Sequence, residues 1–262
     1  MRAIVTGSAA GIGRATALKL HHDARQRGDK TQLMLVDLQA DKLESVAKEL
    51  RDEGAEVETF GGDLTDVSVP GRVVEATVKA FGGIDALISN AGVIKNGSLM
   101  DIEVEDYELA FNINTRATWL LVKAARPHLA EAKGAIVATG SISGFHPTPP
   151  LGAYSASKAA LIMMVRQLAV ELGPEGIRCN AVSPGSTHTA MTDARYSQPE
   201  LAAEAAKKNP LHMIGQPEHQ AAAIAFLAGP EAAYITGENI LVDGGMQNML
   251  MPASAMGDPW KR

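Results

Sequence analysis

The chain has 262 residues, of which 46% are hydrophobic and 21% charged, so it can bury a large core and is not intrinsically disordered. The formal net charge of -6 and the scattered basic residues argue against a nucleic-acid partner. The single cysteine, Cys179, favours a reducing compartment, and no apolar run approaches the roughly 18 residues of a membrane span. We expect a cytoplasmic protein without an export signal or a membrane partner.

Short aliphatic runs predict seven β-strands, at 3–5, 33–37, 57–63, 84–92, 134–141, 177–185 and 239–245. Apolar residues at three- and four-residue spacing predict helices at 14–21, 40–53, 70–81, 104–130 and 154–172. This alternation predicts the α/β class: one Rossmann-like domain over 1–262, with a doubly wound parallel sheet of about seven strands and helices on both faces.

Two irregular segments, 145–151 and 188–217, are candidate walls of a ligand pocket. Ligands of open α/β sheets bind beyond the carboxyl ends of the strands, where such segments lie. We expect 188–217 to be the substrate loop; the alternative for each segment is a plain surface loop.

The first strand runs into a glycine-rich turn, TGSAAGIG at 6–13, which opens the first predicted helix. Glycines let the backbone approach a pyrophosphate, and the helix N-terminus offers free N–H groups and a partial positive charge. The second strand ends at Asp37, whose carboxylate can accept hydrogen bonds from a ribose diol; a helix N-cap is its alternative role. Asp37 would repel a 2′-phosphate, and Leu38 and Gln39 provide no cation to hold one. The pattern therefore predicts NAD rather than NADP.

Tyr154 and Lys158 stand four residues apart in the stretch YSASK, which begins a largely apolar predicted helix. Residues at this spacing share one helix face, so the phenol and the ammonium can reach a common centre. Tyrosine titrates near pH 10 in water, and nearby positive charge favours the phenolate. We expect Lys158, together with an oxidised nicotinamide, to lower the pKa of Tyr154 to near neutrality, which takes roughly 4 kcal/mol. Tyr154 would then exchange a proton with an alcohol or a carbonyl.

Together these motifs resemble those of the short-chain dehydrogenase/reductase family over nearly the whole chain. The turn at 6–13 is similar to the family's dinucleotide turn, and GDLT at 62–65, NAG at 90–92 and PG at 184–185 resemble its other cofactor segments. Ala117 is a departure, since the family usually has glycine there. The resemblance implies that the cofactor is held by Gly7, Ala10, Gly11, Ile12, Gly13, Asp37, Asp63, Leu64, Asn90, Ala91, Gly92, Tyr154, Lys158, Pro184, Gly185, Thr187 and Thr189.

The resemblance also implies a catalytic set, which consists of Asn114, Ser141, Tyr154 and Lys158. Ser141 precedes Tyr154 at the family's spacing and would orient the reacting oxygen, with Ser143 as the competitor. Asn114 would support a water molecule that relays protons past the lysine, with Asn112 as the second choice. We expect no catalytic metal, because no spacing of His, Cys and acidic residues suits one.

The predicted activity is hydride transfer between NAD and a neutral secondary alcohol or ketone of small to medium size, cyclic compounds included. The two irregular segments support this substrate class, because they are rich in apolar residues and carry few fixed charges. Candidate substrate contacts are Ser143, His146, His188 and Met191. Two alternatives are an NADP-linked ketone reductase of the 3-oxoacyl type and a nucleotide-sensing protein without turnover.

The helix at 154–172 is apolar around most of its circumference, which predicts burial against another subunit. The resemblance implies a dimer through this helix and the one at 104–130, usually doubled to a tetramer through the last strand and helix. A Met-rich tail at 249–262 has two interpretations: it covers a neighbouring active site, or it is a frayed terminus.

Overall fold

The computed structural model describes residues 1–249, so the tail expected at 249–262 lies outside the described residues except for its first residue. The strands in this range are β1 (Arg2–Thr6), β2 (Gln32–Asp37), β3 (Glu56–Gly61), β4 (Ala86–Ser89), β5 (Ala135–Thr139), β6 (Arg178–Pro184) and β7 (Asn239–Val242). The α-helices are α1 (Gly11–Arg27), α2 (Ala40–Asp52), α3 (Val69–Phe81), α4 (Val104–Phe111), α5 (Ala117–Ala132), α6 (Tyr154–Leu172), α7 (Asp193–Tyr196), α8 (Pro199–Ala206) and α9 (Pro217–Ala228). A π-helical turn (Asn112–Arg116) joins α4 to α5, and 3₁₀ turns cover Ile142–Gly144, Gly173–Glu175, Pro230–Ala232 and Met246–Asn248.

All of these strands form one parallel sheet in the order β3-β2-β1-β4-β5-β6-β7. The predicted Rossmann-like, doubly wound sheet with helices on both faces is confirmed. The chain builds the sheet outward in one direction from β1 and in the other from β4. A crevice therefore opens between the carboxyl ends of these two strands, which is where such sheets bind ligands.

Alternate side chains of the central strands enter two separate apolar cores. Ile4, Leu87 and Ile136 pack on one face with α3, α5 and α6, while the neighbouring positions in each strand pack on the other face with α1, α2 and α9. Because both faces are covered, β4 and β5 are buried at every position. The strand ends are thus fixed in place, and so are the turns that follow them.

Each of the five predicted helices overlaps an observed one, whereas α7, α8 and α9 were not predicted. α6 begins at Tyr154 and ends at Leu172, as predicted, but the predicted helix at 104–130 is interrupted by the π-helical turn. A π-helical turn is wider than an α-helical one and is common at functional sites. None of the helices within residues 1–249 is both long and apolar enough to cross a membrane.

The segment expected to be the substrate loop contains α7 and α8 and is closed at its base. Thr187 and Gly215 form an isolated parallel bridge. His188 N donates to Gly215 O over 2.9 Å, and Gly215 N donates to Ser186 O over 2.8 Å. The two ends of the segment are therefore held side by side.

Candidate active site

Three strand ends meet at the crevice, and Asn90 ties them together. Its Nδ2 donates to Thr6 O over 3.1 Å and to Gly7 O over 3.2 Å, and its Oδ1 accepts from Thr139 Oγ1 over 3.0 Å. The backbone N–H groups of Asn90 and Ala91 each donate to Thr6 Oγ1 over 3.0 Å. The NAG segment thereby fixes the ends of β1, β4 and β5 relative to one another.

The turn after β1 requires its glycines. Gly7 has a φ of 65°, which L side chains rarely adopt. A Cβ atom on Gly13 would lie 2.1 Å from Gly7 O, so α1 packs against the turn only because that side chain is missing. The N-cap of α1 is Ala10, which makes no side-chain capping hydrogen bond. The N–H groups that begin α1 thus fit the pyrophosphate of a dinucleotide.

Thr189 faces this turn from the other side of the crevice. A Cβ atom on Gly11 would lie 3.4 Å from Thr189 Cβ. Thr189 N donates to Thr192 Oγ1 over 2.9 Å, which fixes the loop after β6. The glycine turn and this loop therefore form two opposing walls that approach each other closely at Gly11 and Thr189.

The other residues expected in the loop after β6 support its base. Pro184 ends β6, and a Cβ atom on Gly185 would lie 2.6 Å from Asp243 Cβ, so β7 approaches this point closely. Thr187 is only 5% exposed. Its hydroxyl donates to Gly185 O over 3.1 Å and accepts from Gln220 Nε2 over 3.2 Å. The Thr187 side chain is therefore turned into the protein.

Asp37 lies at the end of β2, beside the glycine turn. Its Oδ2 accepts from Ala9 N and its Oδ1 from Gln39 N, each over 3.0 Å. Gln39, rather than Asp37, is the N-cap of α2. Both contacts hold the carboxylate at the rim of the turn, where a remaining lone pair on each oxygen can accept a hydrogen bond from a ribose.

The segment at 62–65 forms a further edge of the crevice. Asp63 is exposed, and its Oδ1 accepts from Thr65 N over 2.8 Å, while Leu64 is buried in the core. Arg116, in the π-helical turn, donates from Nη2 to Thr65 O over 2.5 Å. This contact ties the segment to the helix that carries Asn114.

Tyr154 and Lys158 lie in the first turns of α6, against the end of β5. Lys158 Nζ donates to Thr139 O over 2.6 Å and lies 5.8 Å from the centroid of the Tyr154 ring. Ser141, two residues beyond β5, lies close enough to the phenol of Tyr154 for its hydroxyl to lower the pKa of that phenol. Ser141 Oγ also accepts from Ser143 N over 3.1 Å, so its proton is free to donate to the phenol oxygen.

Among the effects of the protein itself, burial has the largest influence on the pKa values of Tyr154 and Lys158. Burial raises the pKa of Tyr154 above its usual range, and the nearby Ser141 hydroxyl lowers it by less. Burial also lowers the pKa of Lys158 to about 8. Burial of the phenol therefore acts against the expected shift toward neutrality, and the oxidised nicotinamide that the expectation also includes would add positive charge in the opposite sense.

Asn114 is buried in the π-helical turn and connects α6 to the turn after β4. Its Oδ1 accepts from Val93 N over 2.9 Å, and its Nδ2 donates to Val93 O and to Ser157 Oγ, each over 3.0 Å. Ser157 Oγ in turn donates to Tyr154 O over 2.8 Å. Both amide N–H bonds of Asn114 are used, which leaves one lone pair on Oδ1 for a water molecule.

Gly92 keeps space open beside this group. A Cβ atom on Gly92 would lie 3.2 Å from Asn114 Oδ1 and 3.5 Å from Lys158 Nζ. Asn112 is instead the C-cap of α4. The structure thus brings to one place the side chains of Asn114, Ser141, Tyr154 and Lys158.

The candidate substrate residues lie on two different loops. On the first, Ser143 is buried, and its Oγ accepts from Thr148 Oγ1 over 2.9 Å, whereas His146 is exposed. On the second, His188 Nε2 lies 2.9 Å from Asp193 Oδ1, and Met191 is exposed. No three His, Cys, Asp or Glu side chains within residues 1–249 are grouped to hold a metal ion.

Sequence reasoning missed three residues in this region. Ser157 lies within YSASK, three residues after Tyr154, so helix spacing was a usable signal. Thr139 accepts from Lys158 through its backbone oxygen, which no side-chain pattern reveals. Gln220 is a buried polar residue in the apolar helix α9, and that contrast is visible in the sequence.

Comparison with known proteins agrees with this geometry. A family model described as enoyl-(acyl carrier protein) reductase matches residues 7–247. The chain is 34% identical over 245 residues to the 3-oxoacyl-[acyl-carrier-protein] reductase FabG of Thermotoga maritima, covering 93% of the chain and 96% of that protein. It is 35% identical over 247 residues to the 2-(R)-hydroxypropyl-CoM dehydrogenase of Xanthobacter autotrophicus, covering 92% and 96%.

A solved structure is similar over the same extent. The crystal structure of a short chain dehydrogenase from Burkholderia cenocepacia, in complex with NADP, matches with a TM-score of 0.84 and 35% identity, covering 94% of this chain and 97% of that one. Fold, motif order and near full-length similarity agree. The chain therefore belongs to the short-chain dehydrogenase/reductase family, oxidoreductases that act on alcohols and ketones with a nicotinamide cofactor.

Proposed function

We propose that the protein is an NAD-dependent dehydrogenase that interconverts a neutral secondary alcohol and its ketone. The observation that supports it most directly is the grouping of the Ser141 hydroxyl, the phenol of Tyr154 and the buried ammonium of Lys158. A sensor without turnover has no use for a phenol held in this way, which disfavours that alternative.

Tyr154 acts as the general acid and base. When bound, the nicotinamide supplies the hydride acceptor for oxidation and the hydride donor for reduction. In oxidation the Tyr154 phenolate takes the hydroxyl proton of the alcohol, and in reduction the phenol returns a proton to the carbonyl oxygen. Ser141 donates a hydrogen bond that orients the phenol and the reacting oxygen, and Lys158 adds positive charge beside the phenolate.

Asp37 is the basis for proposing NAD. Its carboxylate is fixed by Ala9 N and Gln39 N at the rim of the glycine turn, where a 2′-phosphate would meet a negative charge. Arg14, the first cation after the turn, forms an ion pair with Glu49 at 2.7 Å. The alternative, an NADP-linked reductase of the 3-oxoacyl type, is supported by the similarity to FabG and by the NADP complex of the Burkholderia relative.

The loops around Tyr154 support a neutral, partly apolar substrate. Phe145 on the first loop and Met191 and Met213 on the second expose apolar surface. The Asp193 carboxylate is already engaged by His188, at 2.9 Å. We therefore propose small to medium secondary alcohols, cyclic ones included, as the substrate class.

We further propose a homo-oligomer in the cytoplasm. Met163 and Val170 are exposed on the outer side of α6, and Trp119 is exposed on α5. Apolar side chains in such a position favour burial against a second copy. The buried, unpaired Cys179 fits a reducing compartment.

Cofactor choice and substrate class are tested together by following reduced cofactor. NAD and NADP are supplied separately with a panel of diols, cyclic alcohols, sugars and steroids. We expect kcat/KM with NAD to exceed that with NADP by at least roughly tenfold, the effect of about 1.4 kcal/mol of charge repulsion. Asp37→Asn keeps the shape of the side chain and removes its charge, so it should lower the ratio of kcat/KM with NAD to kcat/KM with NADP.

Tyr154→Phe tests the proton-transfer step separately from cofactor binding. It should bind NAD as the wild type does and lose at least about a hundredfold in turnover, the usual contribution of a general acid–base group. Turnover with NADP alone would refute the argument from Asp37. Normal turnover by Tyr154→Phe would refute the mechanism, and silence across the panel would favour a sensor.

A further inference from the structure

Gln220 is a buried polar side chain on the otherwise apolar inner face of α9. It is 1% exposed. Its Nε2 donates to Val242 O, at the end of β7, over 2.9 Å, and to Thr187 Oγ1, in the loop after β6, over 3.2 Å. Its Oε1 has no hydrogen-bond partner within residues 1–249.

Stability does not explain an amide at this position. An unpartnered buried acceptor such as Oε1 destabilises the folded state. The two acceptors of Nε2 have other partners, because Val242 O also accepts from Gly185 N over 3.1 Å and Thr187 Oγ1 donates to Gly185 O over 3.1 Å. An apolar side chain of the same length would thus leave no polar group without a partner.

The contacts of Gln220 do place it directly behind the crevice. Thr192 Oγ1 donates to Thr187 O over 2.6 Å and accepts from Thr189 N over 2.9 Å, so a shift of Thr187 is passed to Thr189. Thr189 in turn stands opposite Gly11 across the crevice. Gln220 therefore supports, through three hydrogen bonds in series, one of the two walls between which a cofactor lies.

We propose that Gln220 is a positioning residue for cofactor binding: through Thr187 it fixes the separation of the loop after β6 from the glycine turn after β1. The inference rests on the proposed function, which assigns the crevice to a nicotinamide cofactor. Ser141 and Tyr154 lie on other elements, next to β5 and on α6, and do not contact Gln220. Loss of the amide therefore weakens cofactor binding and leaves the proton-transfer groups in place.

Gln220→Met tests this, because methionine keeps the length of the side chain and removes its polar atoms. We expect the melting temperature without added cofactor to stay the same or rise, since the orphaned acceptor is gone. The cofactor Kd from calorimetric titration, and its KM, should rise about three- to tenfold, the effect of one hydrogen bond. The value of kcat should stay within about twofold.

Two further variants make the result decisive. Thr187→Val should raise the Kd similarly, and the double variant should bind less weakly than the sum of the two single effects, because both single variants remove the contact between Gln220 and Thr187. Ile224→Val, one turn further along α9 in the core, should lower the melting temperature and leave the Kd unchanged. Unchanged binding by Gln220→Met, additive effects in the double variant, or weaker binding by Ile224→Val would each overturn the proposal.

The titration uses whichever of NAD and NADP binds the wild type more tightly. A wrong assignment of NAD therefore leaves this test intact and is detected separately by the kinetic comparison of the two cofactors. If the wild type binds neither, the proposed function and the role of Gln220 are both refuted.

Discussion

Lys158 supports the proposed proton transfer, but its buried ammonium destabilises the folded protein. The side chain is 3% exposed, and burial lowers its pKa from 10.5 to about 8. The unfolded chain therefore binds this proton more tightly than the folded protein does. Below about pH 8 both states are protonated and the full cost of burying the ammonium is present; between about 8 and 10.5 the free energy of unfolding rises with pH.

Lys158→Met removes that cost. At pH 7 and without added cofactor, we expect the variant to be more stable than the wild type, by up to about 3 kcal/mol, and to lose this advantage as the pH approaches 10.5. Turnover should fall at least about a hundredfold, because the positive charge beside Tyr154 is lost. Calorimetric unfolding across this pH range, with the variant as the baseline for other groups, checks the prediction. A less stable variant at pH 7 would contradict it.

Spacing along the chain was enough to place Tyr154 and Lys158 on one face of α6, because four residues make one helical turn. It did not show that burial would dominate the pKa values of both groups, since burial depends on how α6 packs against β5. Nor did it show the backbone acceptor Thr139 O. These are properties of tertiary contact, which no local pattern contains.

At the scale of whole elements, the helices differ in the residue that caps their C-terminal end. The C-cap residues of α1 and α3 are Gly28 and Gly82, both in the left-handed region that glycine adopts freely. The C-cap residue of α5 is Lys133, which lies in the same region at a φ of 48°. A side chain in this region is strained by contact between Cβ and the backbone. The end of α5 therefore carries a cost that the other two helices avoid.

Lys133→Gly should relieve this strain and raise the free energy of unfolding by about 0.5–1 kcal/mol, measured by urea denaturation. Gly28→Ala is the reverse control. A Cβ atom there has nothing within 4 Å, so any loss of stability comes from the backbone conformation alone. Equal stability of Gly28→Ala and the wild type would show that φ does not set the cost at these helix ends.

The sequence predicted every strand, and it predicted α2, α3 and α6 to within one residue at each end, because apolar runs and three- and four-residue spacing are strong signals. It did not predict α7, α8 or α9. The π-helical turn at Asn112–Arg116 escaped it. Its one extra residue changes which side of the helix faces the sheet, and apolar spacing over 104–130 is too imprecise to show a single added residue. Asn114 is therefore better located by the structure than by any periodicity.

At the scale of the whole molecule, the outer surface of α6 is apolar. Met163 is 59% and Val170 79% exposed, and they lie seven residues, or about two turns, apart on one side. If this surface joins two copies, Met163→Glu with Val170→Glu should convert the oligomer to monomers in sedimentation velocity, because buried like charges repel. The control is Tyr234→Glu, at a fully exposed residue outside α6, which should leave the assembly unchanged. Wild-type protein that sediments as a monomer would refute the oligomer itself.

The closed base of the segment between Thr187 and Gly215 affects which sequence changes the fold can accept there. Its two ends are bonded to each other, through His188 N to Gly215 O and Gly215 N to Ser186 O, so the span between them begins and ends at one fixed place. A further hydrogen bond joins Leu211 N to Gly244 O over 3.3 Å. Residues can be inserted, deleted or exchanged within the segment at a small entropic cost and without moving the sheet. With this segment as the proposed substrate loop, we expect substrate preference to change through residues of α7 and α8, while Thr189, which faces the glycine turn, has to be kept.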